Sequence, residues 1–314
     1  MDLYARAPRT NLIRINTALA DHANGLERPL ACQVPGRPLV TANSWRGKLE
    51  LWFEHHQGKT RLMRRRHTGP LAIQRPFYPE ADGSAHVYLL HPPGGIAGGD
   101  QLAIECHLGL QARALLTTPG ATKFYRSEEN PSEQQVRIDV AAGAICEYLP
   151  QETIVFAGAD ASMKTKVSLA ADSIYIGWDF VSLGRPASGE RFGTGRFRQC
   201  VEIVREDVPV WFERLNLSGA EMITDQPFVL AGQPIMGTMV YAGPVIENAT
   251  ERLRAALGDA ARHVFSVSQL DRVIVCRYLG NRMSQGKSLF RCAWDTLRES
   301  GIGKRGTAPR IWAT

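Results

Sequence analysis

The sequence predicts a mainly β protein whose short strands form a sandwich, a barrel or a stack of sheets, with two α-helices near the C-terminus. Three observations carry this. Apolar and polar residues alternate with a period of two through most of the chain. Turn signals rich in Gly and Pro cut that alternation into short segments. Apolar residues at helical spacing occur only in the last quarter.

Leu102, Ile104, Cys106 and Leu108 alternate with Ala103, Glu105 and His107. This is a half-buried strand, because successive strand side chains point to opposite faces. Val136-Arg137-Ile138-Asp139-Val140 repeats the pattern, as does the series Met163, Thr165, Val167, Leu169. Ile174, Ile176, Trp178 and Phe180 form another apolar face. Turns at Pro92-Pro93-Gly94-Gly95, Gly98-Gly99-Asp100, Pro119-Gly120, Ala142-Gly143, Gly184-Arg185-Pro186 and Gly193-Thr194-Gly195 separate these segments. A first helix is expected after Asn248 as N-cap, with Glu251 three residues on and Leu253, Ala256, Leu257 and Ala260 on one face. Leu289, Phe290, Ala293, Trp294 and Leu297 mark a second, which Gly301 can end. Residues 1–44 are less patterned and read as an N-terminal extension, and residues 45–314 as a single β-rich domain without linker or repeat.

The chain has 314 residues, enough for one large domain or two ordinary ones. With 44% hydrophobic and 22% charged residues it lies near globular averages, which excludes wholesale disorder, collagen and disulfide scaffolds. No apolar run approaches the roughly 18 residues of a membrane span. The N-terminal stretch carries Arg6, Arg9, Arg14, Asp21 and Glu27 without an apolar core, so no secretory signal is expected and the reading is cytoplasmic. Cys32, Cys106, Cys146, Cys200, Cys276 and Cys292 form no C-x-x-C pair, so zinc, redox and haem motifs have no support. Cys106, Cys200 and Cys276 lie in apolar or alternating stretches and read as small buried hydrophobes with reduced thiols. The N-x-[ST] triplets at Asn216 and Asn248 are then chance matches.

Net charge is +6 and uneven: residues 1–75 hold 13 Lys and Arg against 5 Asp and Glu. The densest piece is Arg61-Leu62-Met63-Arg64-Arg65-Arg66-His67. Such a stretch points to an acidic partner surface or to nucleic acid. No RNP, zinc-finger or helix-turn-helix pattern accompanies it, so no nucleic-acid partner is expected.

Four motifs bear on chemistry. Strand-like Val273-Ile-Val-Cys-Arg277 leads into Gly280-Asn-Arg-Met-Ser-Gln-Gly286-Lys287-Ser288, close to a phosphate-binding loop. Five residues separate its glycines where that loop has four, and the chain ends 26 residues after Ser288. That leaves no room for the sheet and Mg²⁺ carboxylate of such enzymes, so nucleotide binding by this chain is not expected. The segment His91–Asp100 joins two strands and lacks the helix of a dinucleotide fingerprint. Its Gly94, Gly95, Gly98 and Gly99 read as a wide turn with positive φ, or as a place of close backbone approach. The histidines never fall in H-x-x-x-H, H-E-x-x-H or H-x-H, and no G-x-S-x-G occurs. Neither a metal site nor a serine nucleophile therefore has a local signature, and no enzyme is expected.

The fourth motif is Leu149-Pro150-Gln151-Glu152-Thr153-Ile154-Val155-Phe156. As a strand it places Glu152 on one face with Ile154 and Phe156. A carboxylate on an apolar face needs an ion pair, hydrogen bonds or a polar channel. Either Lys123 or Arg126 pairs with it, or it faces an internal channel. Glu190, in Ser188-Gly189-Glu190-Arg191, is a second carboxylate in a loop.

Taken together, these segments resemble the UreD (UreH) family of urease accessory proteins. The matching pieces are RRRHTGPLAIQRPFYPE (64–80), VYLLHPPGGIAGGD (87–100), LLTTPGATKFYRS (115–127) and YLPQETIVFAGA (148–159). IGWDFVSLGRPASGERF (176–192), ERLNLSG (213–219) and APRIWAT (308–314) continue the match. The resemblance implies stacked, β-helix-like sheets with two helices and a non-catalytic, cytosolic maturation chaperone. It implies partnership with the F-type protein UreF and the G-type GTPase UreG, docking on apo-urease, and help in placing Ni²⁺ there. It allows a dimeric accessory complex. Nickel would be transient cargo passed through an internal tunnel, no cofactor would be held tightly, and GTP would belong to the G-type partner. On this reading Glu152 and Glu190 line the nickel path, with Gln151 and Asp179 as lesser candidates. Such a conduit wants scattered carboxylates, because a full His/Cys set would trap Ni²⁺. Gly94, Gly95, Gly98, Gly99 and Asp100, with Lys123, Phe124, Tyr125 and Arg126, are read as structural or partner-facing. Two readings from other classes stand beside this one: a hydrolase with a non-local site, and a basic polyanion-binding β-protein.

Overall fold

The computed structural model describes residues 44–127, 130–219 and 225–313, so residues 1–43 of the expected extension lie outside it. The chain begins with β1 (Arg46–His56), β2 (Lys59–Thr68), β3 (Ala72–Ile73), β4 (Ala85–Leu90), β5 (Gln101–Leu108) and β6 (Arg113–Thr117). Next come β7 (Thr122–Phe124), β8 (Ser132–Val140), β9 (Ile145–Tyr148), β10 (Thr153–Val155), β11 (Asp160–Leu169) and β12 (Ile174–Arg185). The later strands are β13 (Glu190–Arg191), β14 (Arg196–Arg205), β15 (Val208–Ser218), β16 (Ile235–Ala242), β17 (Phe265–Leu270) and β18 (Val273–Gly280). Helix α1 (Ala249–Leu257) precedes β17, and α2 (Met283–Gly301) follows β18.

Two sheets stack against each other. The seven-stranded sheet has the order β15-β14-β11-β8-β5-β1-β2. The eleven-stranded sheet follows the path β17-β18-β16-β12-β9-β6-β4-β3, with β10 and β13 joined to β12 and β7 joined to β10. From β4 to β14 the main strands alternate between the sheets, each parallel to its predecessor in the same sheet. The result is the stacked, solenoid-like β architecture expected, with its two helices near the C-terminus. Antiparallel pairs β1–β2 and β14–β15 finish the first sheet, and β16, β18 and β17 finish the second.

The period of two sets which residues fill the space between the sheets. Leu102, Ile104, Cys106 and Leu108 are buried there, with Val136, Ile138, Val140, Val167 and Leu169 in the neighbouring strands. Strand β12 departs from the half-buried expectation. Its Tyr175, Val181 and Leu183 join the inter-sheet core, while Ile176, Trp178 and Phe180 pack in a second core with Phe290, Ala293, Trp294 and Leu297 of α2. The helix covers the outer face of the second sheet, so this strand is buried on both sides.

Helix α2 begins at Met283, which takes Gly286-Lys287-Ser288 out of any loop and into the helix. A Cβ at Gly286 would stand 2.9 Å from the rings of Phe180 and Tyr278. This glycine therefore serves close helix–sheet packing rather than phosphate binding. Asn248 does precede α1, but in a left-handed conformation (φ 52°) and without a side-chain cap. Cys106, Cys146, Cys276 and Cys292 carry free thiols, the first three buried. Cys200 departs from the expected reduced thiol, since its sulfur is disulfide-bonded.

Candidate functional site

Asp179 on β12 lies opposite Thr238 of β16. It shares its parity with Tyr175, Val181 and Leu183, so its carboxylate faces the space between the sheets. Among the described residues no group donates a hydrogen bond to it. Burial, reinforced by the nearby Glu213, pushes its pKa up to about 7. Glu213 is itself tied to Arg277 at 3.3 Å, whose guanidinium sits over the Trp211 ring. Asp179 is thus a partly buried oxygen donor on the inter-sheet face without a fixed counter-charge, poised between its two protonation states near neutrality. Such a group can take up a cation and release it.

Glu152 precedes β10. The sequence parity holds, but its face is the less buried one: Glu152, Ile154 and Phe156 are partly exposed, whereas Thr153 and Val155 are buried. The ion-pair partner expected was Lys123 or Arg126. Instead Lys287 of α2 pairs with the Glu152 carboxylate and donates to Oε1 of Gln151 at 2.6 Å. Helix α2 crosses this face, and Lys287 lies one helical turn before Arg291, which stacks on Trp312. Gln151, Lys287, Trp178 and Trp312 help line a cavity of about 10 Å³, room for roughly one water.

Glu190 on β13 is held from two sides. Arg185 Nε donates to its Oε2 at 2.5 Å, and the Ala157 N–H donates to its Oε1 at 2.9 Å. Arg185 also covers the Phe156 ring. The four carboxylate and amide candidates therefore fall in three places. Gln151 and Glu152 share Lys287 on the helix side, Glu190 ties β13 to the segment after β10, and Asp179 faces the inter-sheet space at a partly buried position.

The glycine turn and the Lys123–Arg126 segment, by contrast, form one unit. Ile96 N–H donates to Lys123 O at 2.7 Å, and Tyr125 N–H returns to Ile96 O at 3.0 Å. Gly94 and Gly99 have positive φ, and a Cβ at Gly95 would run into the Tyr125 ring. Phe124 is buried. Asp100 fastens the turn, accepting from Trp45 N–H at 2.8 Å and from Ala97 N–H at 2.9 Å. The turn reading therefore holds at Gly94 and Gly99, while Gly95 and Gly98 admit the close approach of the Tyr125 and Ser127 side chains.

One constellation had no marker in local sequence. Glu80, on the segment before β4, accepts both Nη groups of Arg298 at 3.0 and 2.7 Å, His86 Nε2 lies 2.9 Å away, and Lys304 Nζ lies at 2.6 Å. Lys304 also pairs with Asp82, which accepts from Arg113 at 2.9 Å. Arg298 Nε lies 3.6 Å from Glu147, whose Oε1 accepts from Trp294 Nε1 at 2.6 Å. Burial alone would raise the Glu80 pKa, but hydrogen bonds from His86, Arg298 and Lys304 outweigh it and bring it to about 2. For Glu147 burial wins over Arg298 and Trp294, and its pKa is raised. This network bolts the end of α2 to the start of the second sheet.

Among the described residues no group of three or more His, Cys, Asp or Glu is placed to hold a metal ion. A hydrolase needs a nucleophile beside its base. His107 Nδ1 does lie 3.0 Å from Asp139, but the nearby Ser168 is registered across from Asp139, two strands from His107. Two strand spacings amount to about 9–10 Å, beyond hydrogen-bond reach.

Fold and side-chain geometry together define a stacked-sheet β protein whose four candidate groups from the sequence lie in three separate places. The family described as UreD urease accessory protein matches residues 46–313. The chain is 63% identical over 273 residues to "Urease accessory protein UreD 2" of Brucella anthropi, covering 87% of this chain and 100% of that protein. It is 40% identical over 280 residues to the UreD of Nitrosococcus oceani, covering 89% and 94% of the two chains. The UreD of Dechloromonas aromatica is 43% identical over 276 residues, covering 86% of this chain and 95% of that one. The chain belongs to the UreD family of urease accessory proteins.

Proposed function

We propose that this protein is a non-catalytic maturation chaperone of urease that acts in the cytoplasm. With UreF and UreG it docks on apo-urease and assists GTP-dependent insertion of Ni²⁺, the GTP being bound and hydrolysed by UreG. The observation that carries this reading is the family match, which spans residues 46–313. A scaffold role also suits a chain whose near-miss phosphate loop is a packed helix turn. In the described residues no helix is long and apolar enough to cross a membrane.

Nickel is cargo rather than a resident cofactor. Asp179 supports a route between the sheets, because it is a partly buried carboxylate on the inter-sheet face that lacks a fixed partner and titrates near neutrality. Glu152 and Gln151 support a station at the mouth, where Lys287 holds the carboxylate until a divalent ion displaces it. Glu190 supports a separate station on β13, held by Arg185 and the Ala157 N–H.

Glu152→Gln tests the mouth. The Glu152–Lys287 pair is partly exposed, with 21% and 26% of the side chains accessible, so its loss should cost under about 1 kcal/mol. The variant is expected to fold and to bind its partners, while nickel per urease active site falls. Normal nickel loading in a soluble, partner-bound variant would remove Glu152 from the path.

A further inference from the structure

Strand β2 is the outermost strand of the seven-stranded sheet, paired with β1 on one side and with no strand among the described residues on the other. The N–H of Thr60, near its start, donates to Gly83 O at 3.0 Å. Among the described residues no other backbone bond ties residues 61–68 to anything but β1. Residues 63–68 are all exposed, so the strand offers solvent an open backbone edge with side chains free on both faces. The basic run at residues 61–67, which the proposed function leaves unused, lies along that edge.

The surroundings do not neutralise this charge. Together β1 and β2 carry seven Lys and Arg against two Glu. Glu50, registered opposite Arg66, is held by Lys48 at 3.1 Å, and Lys48 also takes Glu105 of β5 at 3.0 Å. Glu54 stands opposite Arg61 and can offset that one guanidinium. Arg64 and Arg65 are registered opposite Trp52 and Leu51. The Arg64 guanidinium lies over the Trp52 ring at 4.9 Å, which orients it without cancelling its charge. His107 stacks on the same ring and is itself 3.0 Å from Asp139. Lys59 sits over the Tyr78 ring at 3.5 Å. Arg64, Arg65 and Arg66 form no ion pair among the described residues.

Two features choose the occupant. An open strand edge is completed by another extended polypeptide, whose main chain supplies the missing ladder and which nucleic acid cannot replace. A row of unpaired guanidiniums selects carboxylates. A second copy of β2 would set Arg against Arg, and like charges directly opposite disfavour that pairing. Residues 1–43 hold five Lys and Arg against three Asp and Glu, so that segment is no acidic complement either. We propose that β2 docks an extended, acidic segment of a protein partner, which adds an eighth strand to the seven-stranded sheet and sets Asp or Glu beside Arg64, Arg65 and Arg66. Arg64 and Arg66 project from one face and Arg65 from the other, so consecutive acids fit better than alternating ones. The inference does not rest on the nickel reading.

The test is binding of the full-length chain to a synthetic decapeptide of Val and Thr with a central run of Glu, read by fluorescence anisotropy and by amide hydrogen exchange. The peptide is expected to bind, to weaken with added salt, and to slow exchange in β2 but not in β15, the opposite edge of the same sheet. The double reversal R65E/R66E should weaken it about tenfold or more. N-methylation of alternate backbone amides should weaken it as well, because the charge stays while the ladder bonds are lost. The control reversal R252E/R254E, on exposed residues of α1, should change nothing. No binding, an equal loss in the control, or indifference to N-methylation would overturn the proposal. So would single-stranded DNA that binds as tightly as the peptide and is lost with R65E/R66E, since charge alone would then explain the site.

Discussion

Arg298→Met is expected to destabilise the fold by about 3–5 kcal/mol, the cost of stranding buried carboxylates whose partner is removed. Arg298 is 1% exposed and serves both Glu80 and Glu147. Methionine fills much of the same volume but leaves Glu80 with only His86 and Lys304, and Glu147 with only the Trp294 N–H. Chemical denaturation measures the loss directly. Neutralising the acids as well, in Arg298→Met/Glu80→Gln/Glu147→Gln, should restore most of it, because an apolar or neutral replacement of a whole buried network is often tolerated. A single variant as stable as the parent would mean that the network does not fasten α2.

The same network sets an acid limit. Glu80 has a folded pKa of about 2 against an ordinary 4.5, so its contribution is present above the unfolded value and is lost as pH falls through the folded one. Stability should therefore drop by roughly 3 kcal/mol between about pH 5 and pH 2 in the parent from this group. Arg298→Met should show a shallower decline over that window.

Asp179→Asn has the opposite sign. The folded pKa of Asp179 is about 7 against an ordinary 3.8. At pH between those values the folded chain keeps a proton that the unfolded chain has released, so stability falls as pH rises and levels off above about 7. Asparagine cannot ionise and escapes this loss. The variant is expected to be more stable than the parent by roughly 2–4 kcal/mol at pH 8, with the advantage vanishing near pH 4. Under the proposed function it should also load less nickel into urease. A gain in stability with a loss of function is the signature of a group retained for its chemistry. Unchanged stability at pH 8 would show that Asp179 is solvated rather than confined between the sheets.

The sequence made the strands legible and left the pairings hidden. Alternation such as Leu102–Leu108 reports one face at a time, so the strands of the first sheet could be read directly. Strand β12 could not, because a helix over 100 residues later covers its second face and the local period carries no trace of that. Glu152 shows the same limit. Its parity was readable, but its partner Lys287 lies 135 residues away, while Lys123 and Arg126 were merely near in sequence. The Glu80–Arg298 lock spans 218 residues. One signal was available: Arg298 continues the stripe Phe290, Trp294 at four-residue steps, which places a cation on a buried helix face. Asp179 is legible as a candidate acid, but its partial burial comes from the first sheet packing over the odd face of β12, which local sequence does not report.

On the proposed function, urease acquires nickel with the help of this chain. The most direct measurement is urease activity and bound nickel in cells that express the urease operon with the chain deleted, then restored. The expected result is inactive, nickel-poor urease on deletion and recovery of both on restoration. Fully loaded, active urease without the chain would contradict the proposed function.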